Sequence, residues 1–222
     1  MKRDMLKVLP SRRNRVCLLS GRDGPIVEKT FASADGAANE VAIYRTLEGG
    51  GVKTASLLNQ EGERLRLSFV EGDDYLTLLE RQESEGMSPE PWVALLEWIA
   101  AFHRATGLVQ RDMNLRNFLW HESAAVGLDF EDCGSGKVIE MPAQLAAFVL
   151  LYDPPHTRTK RRIAACIQDD TIRRWGCGER EYAAQLALEQ EKLCRRRRSA
   201  VTASAITGKH SKPHPPTMKD NR

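Results

Sequence analysis

Three polar residues in the middle of the chain have the types and the spacing of a phosphoryl-transfer site. Asp112 is followed five positions later by Asn117, and Asp129 stands at the end of an apolar run further on. In such a site one carboxylate takes the proton of an acceptor hydroxyl, while an amide oxygen and a second carboxylate hold magnesium on the phosphates of a nucleotide. Each piece alone is more often a turn or a strand end. Together they predict that Asp112 and Asn117 are catalytic and that Asn117 and Asp129 are the metal ligands.

The residues between Asn117 and Asp129 predict the element that positions both. Two short apolar runs, 118–120 and 126–128, lie on either side of a polar turn at 121–124. Runs of this length around a turn are typical of a β-hairpin. The hairpin carries the amide at its start and the carboxylate just past its end, so the two groups are expected to lie close together.

The N-terminal residues predict a meander of three strands, at 5–10, 15–20 and 25–31. The turn between the first two strands, residues 11–14, contains no glycine. Ser11 and the backbone amides near it are candidate phosphate donors, because successive backbone N–H groups in a turn can bind an anion. A plain basic hairpin explains these residues equally well.

Lys29 on the third strand and Glu40 on the next element form a candidate ion pair. Residues 34–47 have apolar side chains spaced by three and four positions, which predicts a helix with Glu40 beside its apolar stripe. A strand lysine of this kind grips nucleotide phosphates when a helical glutamate holds it. Glu28 and Glu48 are competing partners, and single lysines and glutamates are most often solvated surface charges. The assignment therefore depends on the order of these residues before the catalytic motif.

The rest of the chain predicts two more strands, at 55–58 and 64–70, and then a mainly helical part. The predicted helices cover residues 75–83, 92–106, 142–152, 157–170 and 180–193. His103 lies at the end of the apolar face of one of them. A histidine in that position is more often a hydrogen-bonded core residue than a catalytic one.

Residues 112–118 and 127–131 resemble the catalytic loop and the metal-holding strand end of the protein-kinase-like superfamily. The resemblance is to aminoglycoside phosphotransferases and lipopolysaccharide core-sugar kinases in particular, and it extends from about Leu6 to Asp153. The chain departs from the family pattern at Gln110, where a histidine is usual. It also departs in the phosphate loop without glycine and in the short helical part.

The resemblance implies an α+β, two-lobed protein-kinase-like fold. Its N-lobe is a small antiparallel sheet at residues 1–70, and its C-lobe is short and mainly helical at 71–194. It also implies a kinase that uses ATP and Mg²⁺ to phosphorylate a hydroxyl of a small molecule or glycan. Two alternatives stay open: a catalytically silent kinase-like binding module and an atypical protein kinase. The chain has no room for a long activation segment after the second motif, which disfavours the protein kinase.

Within this family pattern, five residues are expected to form the ATP-binding site. Lys29 would hold the phosphates with Glu40 behind it, and Ser11 would contribute from the phosphate loop. Backbone groups near Ser68 and Val70 would bind the adenine at a hinge. A strand that ends in a turn explains the glycine that follows these residues equally well.

The C-terminal residues, 195–222, are strongly basic. They hold eight Lys/Arg and one Asp, or +7, so residues 1–194 carry −4 of the total charge of +3. Ser, Thr, Lys and Pro with few large apolar residues predict a disordered tail, with weak contact to anionic surfaces. The mildly acidic body gives no reason to expect specific binding to nucleic acid.

Cysteine usage and hydropathy predict a cytoplasmic protein. The five cysteines form no CxxC pair, which fits neither a disulfide framework nor a zinc site. The longest apolar stretch, residues 145–152, is far too short to span a bilayer, so no transmembrane segment is expected.

Overall fold

The N-terminal part of the molecule is an antiparallel sheet of five strands. The computed structural model describes residues 4–207 apart from Arg12 and Asp23, with side chains as far as Ser199. The strands are β1 (Met5–Leu9), β2 (Arg15–Leu19), β3 (Ile26–Thr30), β4 (Leu57–Glu61) and β5 (Arg64–Ser68). They pair in the order β1-β2-β3-β5-β4. The predicted meander is confirmed, and the fourth strand lies two to three residues later than expected.

Helix α1 (Ala34–Leu47) covers one face of this sheet and is the helix that the sequence predicted. Ser33 caps it, because its hydroxyl accepts a hydrogen bond from the backbone N–H of Gly36 at 3.2 Å. The buried face of α1, which includes Val41 and Tyr44, packs into the main hydrophobic core. Side chains alternate along a strand, so only one face of β3 meets this helix.

The second part of the chain combines short strands with helices. In chain order its first elements are β6 (Asp73–Asp74), α2 (Tyr75–Glu85), α3 (Glu90–Thr106), β7 (Val109–Gln110), β8 (Phe118–His121), β9 (Ala124–Gly127) and β10 (Cys133–Gly134). Strands β8 and β9 form the predicted hairpin, and β6 pairs with its free edge. The C-terminal end of α3 at Gly107 has φ 69°, a left-handed conformation that glycine adopts without strain.

Three helices complete the fold: α4 (Glu140–Leu151), α5 (Arg158–Trp175) and α6 (Glu179–Thr207). Ten consecutive residues of α4, from Met141 to Leu150, are buried. A helix that is buried on every side must be enclosed by other elements, and α5 and α6 both pack against it. The predicted helices are confirmed in type, with ends that differ by at most five residues except in α6, which continues fourteen residues past its predicted end.

The prediction of disorder from Arg195 onward is wrong as far as Thr207. Helix α6 continues through the four arginines, and Arg197 donates to the backbone oxygen of Leu151 at 2.6 Å. The remainder of the predicted tail, residues 208–222, lies outside the described residues. No helix within residues 4–207 combines the length and the apolar character needed to cross a membrane.

Candidate active site

Asp112 and Asn117 lie at the two ends of a short loop and are joined by hydrogen bonds. The loop ends in a 3-10 turn, Leu115–Asn117, which Asn114 caps by accepting from the backbone N–H of Arg116 at 3.1 Å. The side-chain amide of Asn117 donates to the backbone oxygen of Asp112 at 3.0 Å and to its carboxylate at 3.2 Å. The nitrogen of the amide is therefore engaged by Asp112. The amide oxygen is the atom with which an asparagine binds a metal.

The environment of Asp112 suits a general base. Burial raises the pKa of Asp112 above its ordinary value, the hydrogen bond from Asn117 opposes this rise, and the nearby Asp129 carboxylate adds to it. A carboxylate whose pKa is raised is a better proton acceptor than a free one. The two carboxylates are therefore close enough for their charges to interact.

The β8–β9 hairpin brings the second motif to the first, as predicted. The backbone N–H of Leu128 donates to the backbone oxygen of Asn117 at 2.8 Å, so the end of the hairpin closes beside the loop at 112–117. Asp129 follows directly and has φ 60°, in the left-handed region that non-glycine residues rarely adopt. This conformation turns the chain sharply at the carboxylate, and strain of this kind is common at functional sites.

Lys29 joins the N-terminal sheet to this cleft. Its ammonium lies 2.7 Å from a carboxylate oxygen of Glu40 and 2.7 Å from one of Asp129, and Glu131 is 3.9 Å away. The competing partners named by the sequence lie elsewhere: Glu28 bonds Arg66 at 3.0 Å, and Glu48 is exposed at the end of α1. The predicted Lys29–Glu40 ion pair is therefore present.

The Lys29 ammonium lies near three carboxylates, so negative charge exceeds positive charge in this cluster. The pKa values of its members depend on that excess. Burial lowers the pKa of Lys29, but Glu40 and Asp129 outweigh it, so the pKa of the lysine is raised and the side chain stays charged. Burial raises the pKa of Glu40 to about 7 against the attraction of Lys29. Glu40 is the least exposed of the three carboxylates, at 1% of its side chain, so desolvation acts most strongly on it.

Gln110 stands where the resembled kinases usually have a histidine, and it holds the backbone at Asp129. Its side-chain amide donates to the backbone oxygen of Leu128 at 3.0 Å and to that of Asp129 at 3.1 Å. Gln110 is 2% exposed, so these bonds are shielded from water. The structure shows that the amide fixes the turn at Asp129.

Helix α1 is tied to the same motif by two further contacts that sequence reasoning missed. The side-chain amide of Asn39 donates to the backbone oxygen of Glu131 at 2.7 Å. Tyr44 meets the ring of Phe130 edge-on, with 5.0 Å between the ring centroids, and Trp98 stacks on Phe130 from α3 at 6.2 Å. The position of α1, and with it Glu40, is therefore coupled to the residues that follow Asp129.

The turn between β1 and β2 closes over the cleft. The side-chain amide of Asn14 donates to Glu131 at 2.6 Å, and Arg13 bonds Asp132 at 3.0 Å. Ser11 accepts from the backbone N–H of Asn14 at 3.3 Å, so its hydroxyl stabilises the turn. Contact between Ser11 and a phosphate stays a prediction. Arg13 and Asn14 were not singled out from the sequence, and their partners lie more than a hundred residues away.

The predicted hinge lies where β5 leaves the sheet. The backbone N–H of Ser68 donates to the oxygen of Ser56 at 2.9 Å, and the Ser68 hydroxyl accepts from the N–H of Ser56 at 2.8 Å. The N–H of Ser68 is therefore occupied. The expected contacts of Ser68 and Val70 with an adenine stay a prediction for their other backbone groups.

The carboxylates of Glu40, Asp129 and Glu131 form a cluster whose oxygen atoms lie within 4.8 Å of one another. Asp129 is the most open of the three, with 38% of its side chain exposed. Carboxylate oxygens are among the hard donors that Mg²⁺ prefers. The roles of Asp129 and Asn117 as metal ligands stay a prediction, and Glu131 is a further candidate that was not predicted from the sequence.

A surface cavity of about 710 Å³ opens on the outer face of the N-terminal sheet, where Arg15, Arg64 and Arg66 surround Glu28. It lies on the opposite face of β3 from Lys29 and includes none of the predicted catalytic or metal-binding residues. The predicted site residues therefore lie in the cleft beneath the sheet and not in this cavity.

No protein-family model matches the sequence, and no curated protein matches it. Its structure is similar to that of amicoumacin kinase hAmiN, solved in complex with AMP-PNP, Ca²⁺ and Ami. The TM-score is 0.62 at 14% sequence identity, over 79% of this chain and 72% of that chain. The chain accordingly has the α+β, two-lobed protein-kinase-like fold that the sequence predicted. A likeness at this identity establishes the fold, and the reaction must be argued from the site.

Proposed function

We propose that the protein is a kinase that transfers the γ-phosphoryl group of ATP to a hydroxyl of a small molecule or glycan. The observation that supports this most directly is the Lys29 network with Glu40 and Asp129. The bond from the N–H of Leu128 to the oxygen of Asn117 joins it to the hydrogen-bonded pair of Asp112 and Asn117. These groups come from β3, α1, the catalytic loop and the end of the hairpin. Burying charged groups costs free energy of desolvation, so a protein that needed only a stable core would gain little from them.

In this proposal Asp112 is the general base. Its carboxylate takes the proton of the acceptor hydroxyl while that oxygen bonds to the γ-phosphorus of ATP. The bond from the γ-phosphorus to the β–γ bridging oxygen breaks, and ADP leaves with the electron pair. Asn117 fixes the orientation of the Asp112 carboxylate through the bond at 3.2 Å. The burial that raises the pKa of Asp112 favours proton uptake.

Lys29 and the residues around Asp129 serve the nucleotide. Lys29 would hold the α and β phosphates, and Glu40 keeps its ammonium in place from behind. Asp129 and Asn117, with Glu131, would hold Mg²⁺, which when bound neutralises charge on the phosphates. The similar amicoumacin kinase structure contains AMP-PNP and Ca²⁺, which supports a nucleotide and a divalent cation as the occupants of this cleft.

A catalytically silent binding module is the second candidate, because residues of the protein already contact one another across the cleft. Asn14 already bonds Glu131, and Lys29 already bonds Asp129. A bound nucleotide and its cation must replace the contact between Asn14 and Glu131. They must also bind while Lys29 and Asp129 contact each other. Against a protein kinase, the chain enters α4 at Glu140 only eleven residues after Asp129, and part of that segment pairs with β7 as β10. This leaves no long segment to bind a peptide.

The two candidates separate in one experiment on three variants. Binding of AMP-PNP is measured by calorimetry with and without Mg²⁺, and ADP release is followed with a panel of hydroxyl acceptors. Asp112→Asn is expected to keep nucleotide affinity and to lose transfer by about 10²-fold to 10⁴-fold. Asp129→Asn is expected to lose the Mg²⁺ dependence of binding. Asp169→Asn, an exposed carboxylate on α5, makes the same change of charge away from the cleft and is expected to behave as the wild type.

Nucleotide binding without transfer to any acceptor, and with no difference between Asp112→Asn and the wild type, would favour the silent module. Absence of nucleotide binding by the wild type would contradict both candidates.

A further inference from the structure

The end of helix α6 lies beside the catalytic loop. The Arg197 guanidinium donates to the backbone oxygen of Leu151, the last residue of α4, at 2.6 Å. The hydroxyl of the next residue, Tyr152, donates to the side-chain oxygen of Asn114 at 2.9 Å. Asn114 stands two residues after Asp112. The arginine-rich segment thus lies next to the loop that carries Asp112.

The charges of this segment act on the catalytic loop. Burial raises the pKa of Asp112, and the positive charge of Arg196 opposes that rise. Burial likewise raises the pKa of Tyr152, and Arg116 and Arg197 oppose it. Arg197 comes from α6 and Arg116 from the catalytic loop itself, so the positive charge around Tyr152 is assembled from separate elements.

Two of these arginines have no carboxylate at ion-pair distance among the described side chains. In the part of the chain whose side chains are described, neither Arg116 nor Arg196 forms an ion pair with a carboxylate. Arg195, one residue earlier, does, with 2.5 Å to Glu191. Asp74 also lies near Tyr152, but the backbone N–H of Thr77 occupies its carboxylate at 2.7 Å as the cap of α2. Exposed guanidinium groups without a carboxylate partner are ready to bind an anion.

We propose that Arg116, Arg196 and Arg197 form an anion-binding subsite on the acceptor side of the cleft, and that the acceptor carries a phosphate or carboxylate group besides its hydroxyl. The inference deepens the proposed function, since it names the class of acceptor that the same site takes. A guanidinium binds either group through two parallel hydrogen bonds, which would hold the acceptor with its hydroxyl toward Asp112. A cationic acceptor would meet like charge at this rim and is disfavoured.

The subsite is tested first by binding, with the full chain saturated with AMP-PNP and Mg²⁺ so that the nucleotide phosphates already occupy their own site. Inorganic phosphate and malonate are the probes, and glycerol is the neutral control. Arg196→Gln and Arg116→Gln are each expected to weaken phosphate binding about tenfold. Arg195→Gln, on the same helix but paired with Glu191, is the matched control and is expected to bind phosphate as the wild type does.

A second arm measures transfer to glycerol 3-phosphate, to glycerate and to glycerol. Preference for glycerol 3-phosphate assigns the subsite to phosphate, and preference for glycerate assigns it to carboxylate. Faster transfer to glycerol than to either anion would overturn the proposal. So would phosphate affinity that is equal in the wild type, Arg196→Gln and Arg116→Gln. The binding arm also separates this inference from the proposed function. Intact AMP-PNP binding without phosphate binding would contradict the anion-binding subsite and leave the proposed function standing.

Discussion

The strongest quantitative prediction concerns Glu40 and the dependence of stability on pH. Burial raises the pKa of this carboxyl from 4.5 to about 7 in the folded protein. Below pH 4.5 the folded and the unfolded chain both carry the proton. Between pH 4.5 and 7 only the folded chain keeps it, so this group contributes stability that is fully present at the acid end and is lost as the pH rises through 7.

The size of the effect follows from the two pKa values. Each pKa unit corresponds to 1.36 kcal/mol, so the gap between 4.5 and about 7 corresponds to a loss of about 3 kcal/mol in the free energy of unfolding. Glu40→Gln keeps the shape of the side chain and cannot titrate. Relative to this variant, the wild type should lose about 3 kcal/mol of stability between pH 4.5 and 7.5.

The assay is urea unfolding at half-unit steps of pH, with EDTA and without nucleotide, for the wild type and Glu40→Gln. Glu28→Gln is the control, because Glu28 bonds Arg66 on the other face of β3 and the substitution makes the same change of charge. The control should keep the slope of the wild type. Parallel stability curves for the wild type and Glu40→Gln would refute the reasoning, because they would show that Glu40 takes up no extra proton on folding.

Three further predictions concern the elements around the cleft. Gly127→Ala places a methyl group 2.1 Å from the ring of Trp98, so it should lower the unfolding free energy by about 1–3 kcal/mol or more in urea unfolding. Gln110→Leu leaves two shielded backbone oxygens without this donor and should lower the unfolding free energy by about 2–4 kcal/mol. Gln110→His should retain more of the stability. Equal losses in the two variants would mean that the amide bonds contribute little. Arg13→Gln removes an exposed ion pair and should change the unfolding free energy by less than about 1 kcal/mol. It should nevertheless speed AMP-PNP association in stopped-flow measurements, because the turn between β1 and β2 opens more easily. An unchanged association rate would show that this turn does not limit entry of the nucleotide.

The centre of the site was predictable from sequence because its spacing is local. Asp112 and Asn117 belong to one loop, and Asp129 follows one hairpin later, so their proximity depends on few contacts. Lys29 and Glu40 were predictable from the order of a strand and a helix. The contacts that close the cleft were not, because Asn14 meets Glu131 across 117 positions and neither residue belongs to a recognisable motif.

The two largest misses have different physical reasons. Gln110 was noted as a departure, but its function depends on which backbone oxygens its amide reaches, and this requires coordinates. The end of α6 was not predicted because the expectation of disorder was based on the overall polar composition of residues 195–222. The positions of glycine and proline within that segment were not considered. The first glycine after Arg195 is Gly208, and the intervening residues include neither glycine nor proline. Those residues can therefore continue a helix, which ends at Thr207.

The stacking of Trp98 on Phe130 makes the intrinsic fluorescence of this indole sensitive to the position of Phe130. The indole is 4% exposed, and its N–H donates to the backbone oxygen of Lys53 at 2.8 Å, so its environment is fixed on that side. On the other side its neighbour is the ring that directly follows Asp129, nearly parallel at an angle of 6°. Any rearrangement of the metal motif that rotates Phe130 must change the surroundings of this indole. Intrinsic fluorescence can therefore follow the cleft in the unlabelled protein, with no substrate known in advance.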